Sequence, residues 1–500
     1  MEASLLRQAS RGASIIISGQ ALSRLISFAG NVVLVRLMGA DALGVSSVEL
    51  HLLQSACLGL TREGVRRAVL RDAQAPAGLA CALAKTYALA GLVILTPLVA
   101  AYFAAQPAPS GFSSREYLNS VYLVALSVAV ELASEPLFVL AQTEMRYKLR
   151  SAIEATSSLA RVFGALATHL LLGWRLEAFA AGYVAASVCV LVGYATATSR
   201  QGLALVWNEP FLASPSSASP ALALDALAMS LQAAWKFVLA EGEGLVMLLL
   251  GITTPADQGA FALASNLGAL VARLVLQPCE EAAYTVFGRL KPGEELDRAL
   301  GSLVRAFATF GLVCACLGSH YTHLLVHILY GARWADDTQA PEVLAWYCMY
   351  VGVLAVNGIT EAFVQAVMDP AQMRELSVWL GVCSLVFLAL AAYLVPVMGT
   401  PRLVVANSAV MALRSARNVY FAKRTKHSNA HFMPPLATCA ALFGAWVTSR
   451  YSRDRVYGHH PSMYAAAAHV GIGAVAGLIV LATCVVFDRE LVSVLRDIAM

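Results

Sequence analysis

Apolar residues in this chain come in runs of about 20, separated by short polar or Gly/Pro-containing breaks, and the runs recur over nearly the whole length. Hydropathy and breakers together predict fourteen membrane-spanning helices. The first six lie at roughly 14–37, 43–61, 79–104, 118–141, 152–172 and 177–198. The next six lie at roughly 228–252, 258–288, 301–323, 342–366, 376–397 and 401–422, and the last two at roughly 433–449 and 464–487. A Pro/Ser-rich stretch at 208–220 reads as a linker between halves. The expected fold is an all-α polytopic membrane protein. It comprises an N-lobe of helices 1–6 (1–200), a cytoplasmic linker (201–222), a C-lobe of helices 7–12 (223–425), and helices 13–14 within 426–500.

A faint internal repeat supports the two lobes. LMGADALGVSSVEL after the first span resembles GITTPADQGAFALAS after the seventh, with Asp41 and Gly44 answering Asp257 and Gly259. An Asp–Gly turn is expected at each place. Six helices per block is an even number, so the blocks enter the membrane in the same sense, and parallel repeats of this kind enclose a central cleft.

Composition agrees. Of 500 residues, 59% are hydrophobic and only 13% charged, about half the charge of a soluble domain, too little to cover a water-facing surface. The net charge of +4 matters less than its distribution. Arg62, Arg66, Arg67, Arg71, Arg146, Lys148, Arg150, Arg289, Lys291, Lys423 and Arg424 fall on the side of the N-terminus. The opposite side has only Arg36, Arg115, Arg175, Arg333, Arg402 and the trio Arg450, Arg453 and Arg455. Both termini are therefore expected in the cytoplasm. The ten cysteines are scattered, and the closest two, Cys314 and Cys316, suit neither a zinc site nor a redox CxxC pair. No metal or cofactor is expected. No GxxxxGK[ST] loop is present, which argues against nucleotide-driven pumping.

Ionisable groups inside the apolar runs are the candidates for function, because a charge near the bilayer centre costs at least ~3 kcal/mol and turns inward. The stretch 241–284 is richest. Glu241 and Glu243 open one span; Asn266, Arg273, Gln277, Glu281 and Tyr284 follow steps of seven, four, four and three, placing them on one side of the next. Glu280 adjoins them, and Pro278 is expected to open the backbone there. The stretch reads either as an internal Arg–Glu pair with a kink or as a polar cavity that touches a ligand.

Other candidates are spread along the chain. Arg24 lies inside the first span and Arg36 at its end. Arg62, Arg66 and, less directly, Arg67 project together at the end of the second, either as a grip for a diphosphate or as a loop meeting anionic head groups. Glu131 and Glu135 are one turn apart, as are Asn357 and Glu361. Glu154 and Arg161 are seven apart, as are Asn407 and Arg414. Asn, Gln and carboxylates suit sugar hydroxyls, whereas Arg suits phosphate.

These residues carry a resemblance. RLISFAGNVVLVR at 24–36, TREGVRRAVLR at 61–71, ELASEPLFVLAQ at 131–142, Glu154 to Arg161, EGE at 241–243, DQGAFALASNLGALVARLVLQPCEE at 257–281 and WYCMYVGVLAVNGITEAF at 346–363 resemble the Rft-type family of endoplasmic-reticulum proteins. The resemblance implies a non-enzymatic protein of the endoplasmic-reticulum membrane. Its implied partners are membrane lipids and a dolichol-diphosphate-linked oligosaccharide that it translocates for N-glycosylation. It also implies a fold shared with multidrug extrusion transporters and lipid-linked oligosaccharide flippases. Two departures stand out: Gly244 where the family usually has a basic residue, and a short interlobe linker. Alternative readings are an accessory glycolipid-binding protein, a cation-coupled antiporter of the same fold, and a polytopic glycosyltransferase, which the short, mostly uncharged lumenal loops disfavour.

Overall fold

The computed structural model describes residues 26–71, 77–208, 230, 237, 240–251, 253–290, 293–424, 432–458 and 462–487. Among them about 90% are helical and none forms a strand. Ten helices among the described residues are long and apolar enough to cross a membrane. The chain forms two compact units, 1–259 and 260–500.

The first unit contains α1 (Ile26–Met38), α2 (40–71), α3 (Ala77–Ala105), α4 (Ser114–Thr143), α5 (Tyr147–Leu172), α6 (Leu176–Ala197), the short α7 (Arg200–Asn208) and α8 (Gly242–Leu250). α4 packs along α6, and α6 along α5. The start of α4 is set by Ser113, whose hydroxyl accepts from the Glu116 N–H at 3.1 Å, the first half of a capping box. α5 ends where Gly173 takes φ +70°, a left-handed stop that costs glycine little. A core of Val65, Ala80, Leu137, Phe138, Val139, Ile153 and Tyr194 joins α2 to α6.

The second unit begins within α9 (Pro255–Arg289). It continues through α10 (Glu294–Cys316), α11 (Thr322–Tyr330), α12 (Ala332–Asp336), α13 (Ala340–Val367), α14 (Pro370–Met398), α15 (Pro401–Arg424), α16 (Leu436–Ser452) and α17 (Met463–Phe487). α13 is its hub, packing against α9, α10 and α15 around Phe287, Leu300, Ile359 and Phe363. α16 and α17 pair with each other over Leu442, Ala445, Ala476 and Val480, and touch α10 through Leu317.

Four expected spans fall outside the ten, each for a visible reason. Only 26–38 of the first is described, and most of the seventh before α8 lies outside the described residues. The twelfth, α15, is a continuous helix of 24 residues that carries Arg402, Arg414, Arg417, Lys423 and Arg424. The thirteenth, α16, has 17 residues. The linker residues 209–222 also lie outside the described residues.

Two helices widen just before a proline rather than breaking at it. α3 and α9 each contain a five-residue π-turn, Gly91–Leu95 and Ala272–Leu276, and in each a proline (Pro97, Pro278) follows two residues later. Proline leaves a carbonyl one turn earlier without its donor, and an i→i+5 turn re-routes the bonding around it. Pro278 was expected to open the backbone; instead α9 runs on through it.

The expected Asp–Gly turns are corrected in a similar way. Asp41 and Asp257 sit in the first turns of helices, where a carboxylate favours the helix N-terminus. Thr254 and Asp257 bond reciprocally at 3.2 and 3.3 Å. Gly44 and Gly259 lie inside the helices, where they meet. A Cβ on Gly44 would lie 1.9 Å from the Pro255 carbonyl oxygen, and one on Gly259 2.0 Å from that of Ala40. The segments paired by sequence similarity therefore touch backbone to backbone.

α2 has a second close neighbour. A Cβ on Gly64 would lie 2.0 Å from Ser230 Oγ, one on Gly59 3.6 Å from the Phe237 ring, and one on Gly244 3.5 Å from Leu52. Ser230, Phe237 and Gly244 thus meet α2 in reverse order, at Gly64, Gly59 and Leu52.

Candidate functional site

Among the described residues, candidate groups gather in one polar cluster of each unit. In the first, two arginines of TREGVRRAVLR face the carboxylates of ELASEP. Arg62 and Arg66 are one turn apart on α2, Glu131 and Glu135 one turn apart on α4, and the pairs meet in register. Arg62 Nη1 donates to Glu131 Oε1. Arg66 grips Glu135 with two bonds, Nε to Oε1 at 2.6 Å and Nη2 to Oε2 at 2.7 Å. Its guanidinium carbon lies 3.7 Å from the centroid of Phe138, and Arg150 approaches the same ring at 5.3 Å. Only 3% of the Glu135 side chain is exposed. The expected pair of open guanidiniums is thus engaged by carboxylates. Arg67 lies on α2, with its side chain outside the described residues, and Arg24 lies outside them altogether.

Next to this ladder is a cavity of about 480 Å³. α2 contributes His51, Gln54, Ser55, Arg62 and Glu63; α4 contributes Glu131; α5 contributes Ser157, Ser158 and Arg161; α6 contributes Tyr183; and Phe237 and Glu241 close it. Glu241 pairs with His51 at 3.4 Å. Glu131 also accepts from Ser187 Oγ at 3.2 Å. Arg161 lies over Tyr183, its guanidinium carbon 3.9 Å from the ring centroid. Glycine makes this stacking possible: a Cβ on Gly182 would lie 2.6 Å from the Arg161 carbonyl oxygen, so α5 and α6 approach at their backbones there. Glu154 bonds Arg150 at 2.7 Å and not Arg161, because four residues is a shorter reach than seven. Two buried polar atoms of the wall, Arg62 Nε and Tyr183 Oη, have no hydrogen-bond partner among the described residues.

The second cluster is centred on Glu361. Its Oε2 accepts from Arg414 Nη2 at 2.8 Å and from Asn357 Nδ2 at 2.9 Å, and its Oε1 accepts from Gln365 Nε2 at 3.2 Å. Ser415 Oγ reaches Asn357 Oδ1 at 3.4 Å. Glu280 of α9 packs against α13 at Gly358, where an added Cβ would lie 1.8 Å from its Oε1, and its charge feels that of Glu361.

The remaining candidates are more open. Asn266, Arg273, Gln277, Glu281 and Tyr284 are all exposed, as part of a wider surface that includes Leu274, Val275 and Pro278. Gln277 Nε2 reaches Glu281 Oε1 at 3.5 Å. Arg273, on the π-turn, makes no ion pair among the described residues, so the Arg–Glu pair considered for this stretch is not formed there. Arg36 is exposed near the end of α1, and Glu243 is half-buried in the first turn of α8. Sequence reasoning passed over Tyr183, Phe237, Ser157, Ser158 and Gln54. They carry no charge, and the one hint was Gly182 beside Tyr183.

Residues 8–497 match the Rft protein family. The mouse Man(5)GlcNAc(2)-PP-dolichol translocation protein RFT1 is 27% identical, the match covering 98% of this chain and 97% of that protein. The protein of that name in Yarrowia lipolytica is 30% identical over 84% of this chain and 70% of its own. Among solved structures, the lipid II flippase MurJ in an inward closed conformation superposes with a TM-score of 0.68 at 8% identity, covering 96% of this chain and 99% of that one. An inward-facing multidrug-resistance MATE family transporter superposes at 0.58 and 11% identity, covering 81% and 94%. These two likenesses bear on the fold alone.

Proposed function

From its membership of the Rft protein family, to which this chain belongs, we infer that it moves a dolichol-diphosphate-linked oligosaccharide, or aids its movement, across the endoplasmic-reticulum membrane for N-glycosylation. The observation that carries this reading is the end-to-end similarity to proteins named for translocation of that glycolipid. Physical chemistry adds a reason for such a protein. Desolvating one ion ideally costs of order 20 kcal/mol, so a charged glycan head does not cross hydrocarbon unaided. Polar groups held inside apolar helices replace its water and lower that barrier.

The reading comprises fourteen spans in two six-helix lobes with two trailing helices, both termini cytoplasmic, and no catalytic step. Arg24, Arg36, Arg67, Arg161, Glu241, Glu243, Asn266, Arg273, Gln277, Glu280, Glu281, Asn357 and Glu361 are the groups it assigns to ligand contact. Arg62 and Arg66 become frame residues that orient the wall through Glu131 and Glu135. Depleting the protein from cells is expected to leave secreted proteins under-glycosylated while the lipid-linked intermediate accumulates. Unchanged glycosylation and unchanged intermediate levels would remove the reading.

A further inference from the structure

The geometry points to the cavity of the first unit as a subsite for neutral sugar rings, distinct from wherever the diphosphate is held. This rests on the glycolipid reading above and names what that cavity takes. Its wall carries two guanidiniums, Arg62 and Arg161, against three carboxylates, Glu63, Glu131 and Glu241, leaving His51 aside. A phosphate oxygen only accepts hydrogen bonds, and here it would meet an excess of acceptors of its own sign. A sugar hydroxyl both donates and accepts. It satisfies the carboxylates as a donor, and as an acceptor it takes the N–H groups of Arg161.

The remaining lining fits the same ligand. Gln54, Ser55, Ser157 and Ser158 supply neutral bonding groups, and Phe237 supplies a ring for the C–H surface of a pyranose. Tyr183, 1% exposed, holds the Arg161 guanidinium over its ring before any ligand arrives. At about 480 Å³ the cavity lies within the 300–1,000 Å³ usual for small-ligand pockets and takes part of a glycan rather than a whole heptasaccharide.

The test uses the purified full-length protein in nanodiscs and three probes. They are the oligosaccharide on a short lipid with a neutral linker, a short prenyl diphosphate without sugar, and a short-chain phosphatidic acid. Arg161→Gln, Ser158→Ala and Gln54→Ala are compared with the parent, the last two being small changes that break no ion pair. The neutral glycan probe is expected to bind the parent and to lose about tenfold in affinity with Arg161→Gln. Both phosphate probes should keep their affinities in every variant. If the variants weaken the phosphate probes and spare the glycan probe, the subsite assignment is overturned and the glycolipid reading stands. If the parent binds neither glycan nor prenyl diphosphate, both fall.

Discussion

Arg66 and Glu135 hold each other with two parallel bonds of 2.6 and 2.7 Å, beneath the ring of Phe138 and almost out of contact with solvent. Four residues earlier on each helix, Arg62 and Glu131 repeat the pairing. The ladder ties α2 to α4. Its charges stabilise the frame only as a set, because removing one partner strands the other in an apolar surrounding.

Glu135→Ala should therefore lower stability by about 3–5 kcal/mol. The double variant Arg66→Met with Glu135→Leu should recover most of it, since no unpaired charge remains. Thermal unfolding in detergent checks both. Equal losses in the single and double variants would mean that packing rather than charge sets the cost.

The contact between Gly44 and Gly259 leaves no room for a side chain on either, whereas Gly244 has ordinary van der Waals space before Leu52. Gly44→Leu is expected to cost at least about 1–3 kcal/mol through overpacking, and Gly244→Ala well under 1 kcal/mol. Melting temperatures of the two variants give the comparison.

Arg414 offsets Glu361 in the second unit, with Glu280 close by. Arg414→Gln leaves two acidic groups without that cation and should reduce folded yield and melting temperature. Adding Glu361→Gln should restore part of the loss. No restoration would indicate that Arg414 contributes chiefly through its stem and its contact with Met411.

His469 is fully buried between α16, α17 and the turn after α10. It bonds Ser452 at 2.7 Å and the His320 carbonyl at 3.3 Å and stacks on Tyr321 at 4.1 Å. His469→Ala should cost about 1–3 kcal/mol from the orphaned partners. The loss should be local: faster hydrogen exchange in α16 and α17, with α13 unchanged.

Much of this was legible in the chain. Apolar runs became helices close to where hydropathy put them, because a buried backbone in lipid has no other way to satisfy its polar groups. The four-residue spacings of Arg62 with Arg66 and Glu131 with Glu135 were visible too. Their pairing was not, since it depends on how two helices 69 residues apart in sequence are aligned. The seven-residue step from Glu154 to Arg161 left open an ion pair or a site, and Glu154 pairs with Arg150, nearer along the same helix. Tyr183 went unnoticed because an uncharged ring in an apolar run looks like core, and only Gly182 betrays the close approach that brings Arg161 over it. Asp41 and Asp257 resembled turn residues because aspartate also favours helix starts.

The most direct measurement is transport by the purified protein reconstituted into sealed vesicles, scored for crossing of the dolichol-linked heptasaccharide between leaflets. Vesicles with the parent protein should move the glycolipid faster than protein-free vesicles, and those with Arg273→Gln should move it more slowly than the parent. Crossing at the protein-free rate, with the protein folded and able to bind the glycolipid, would contradict translocation by this chain.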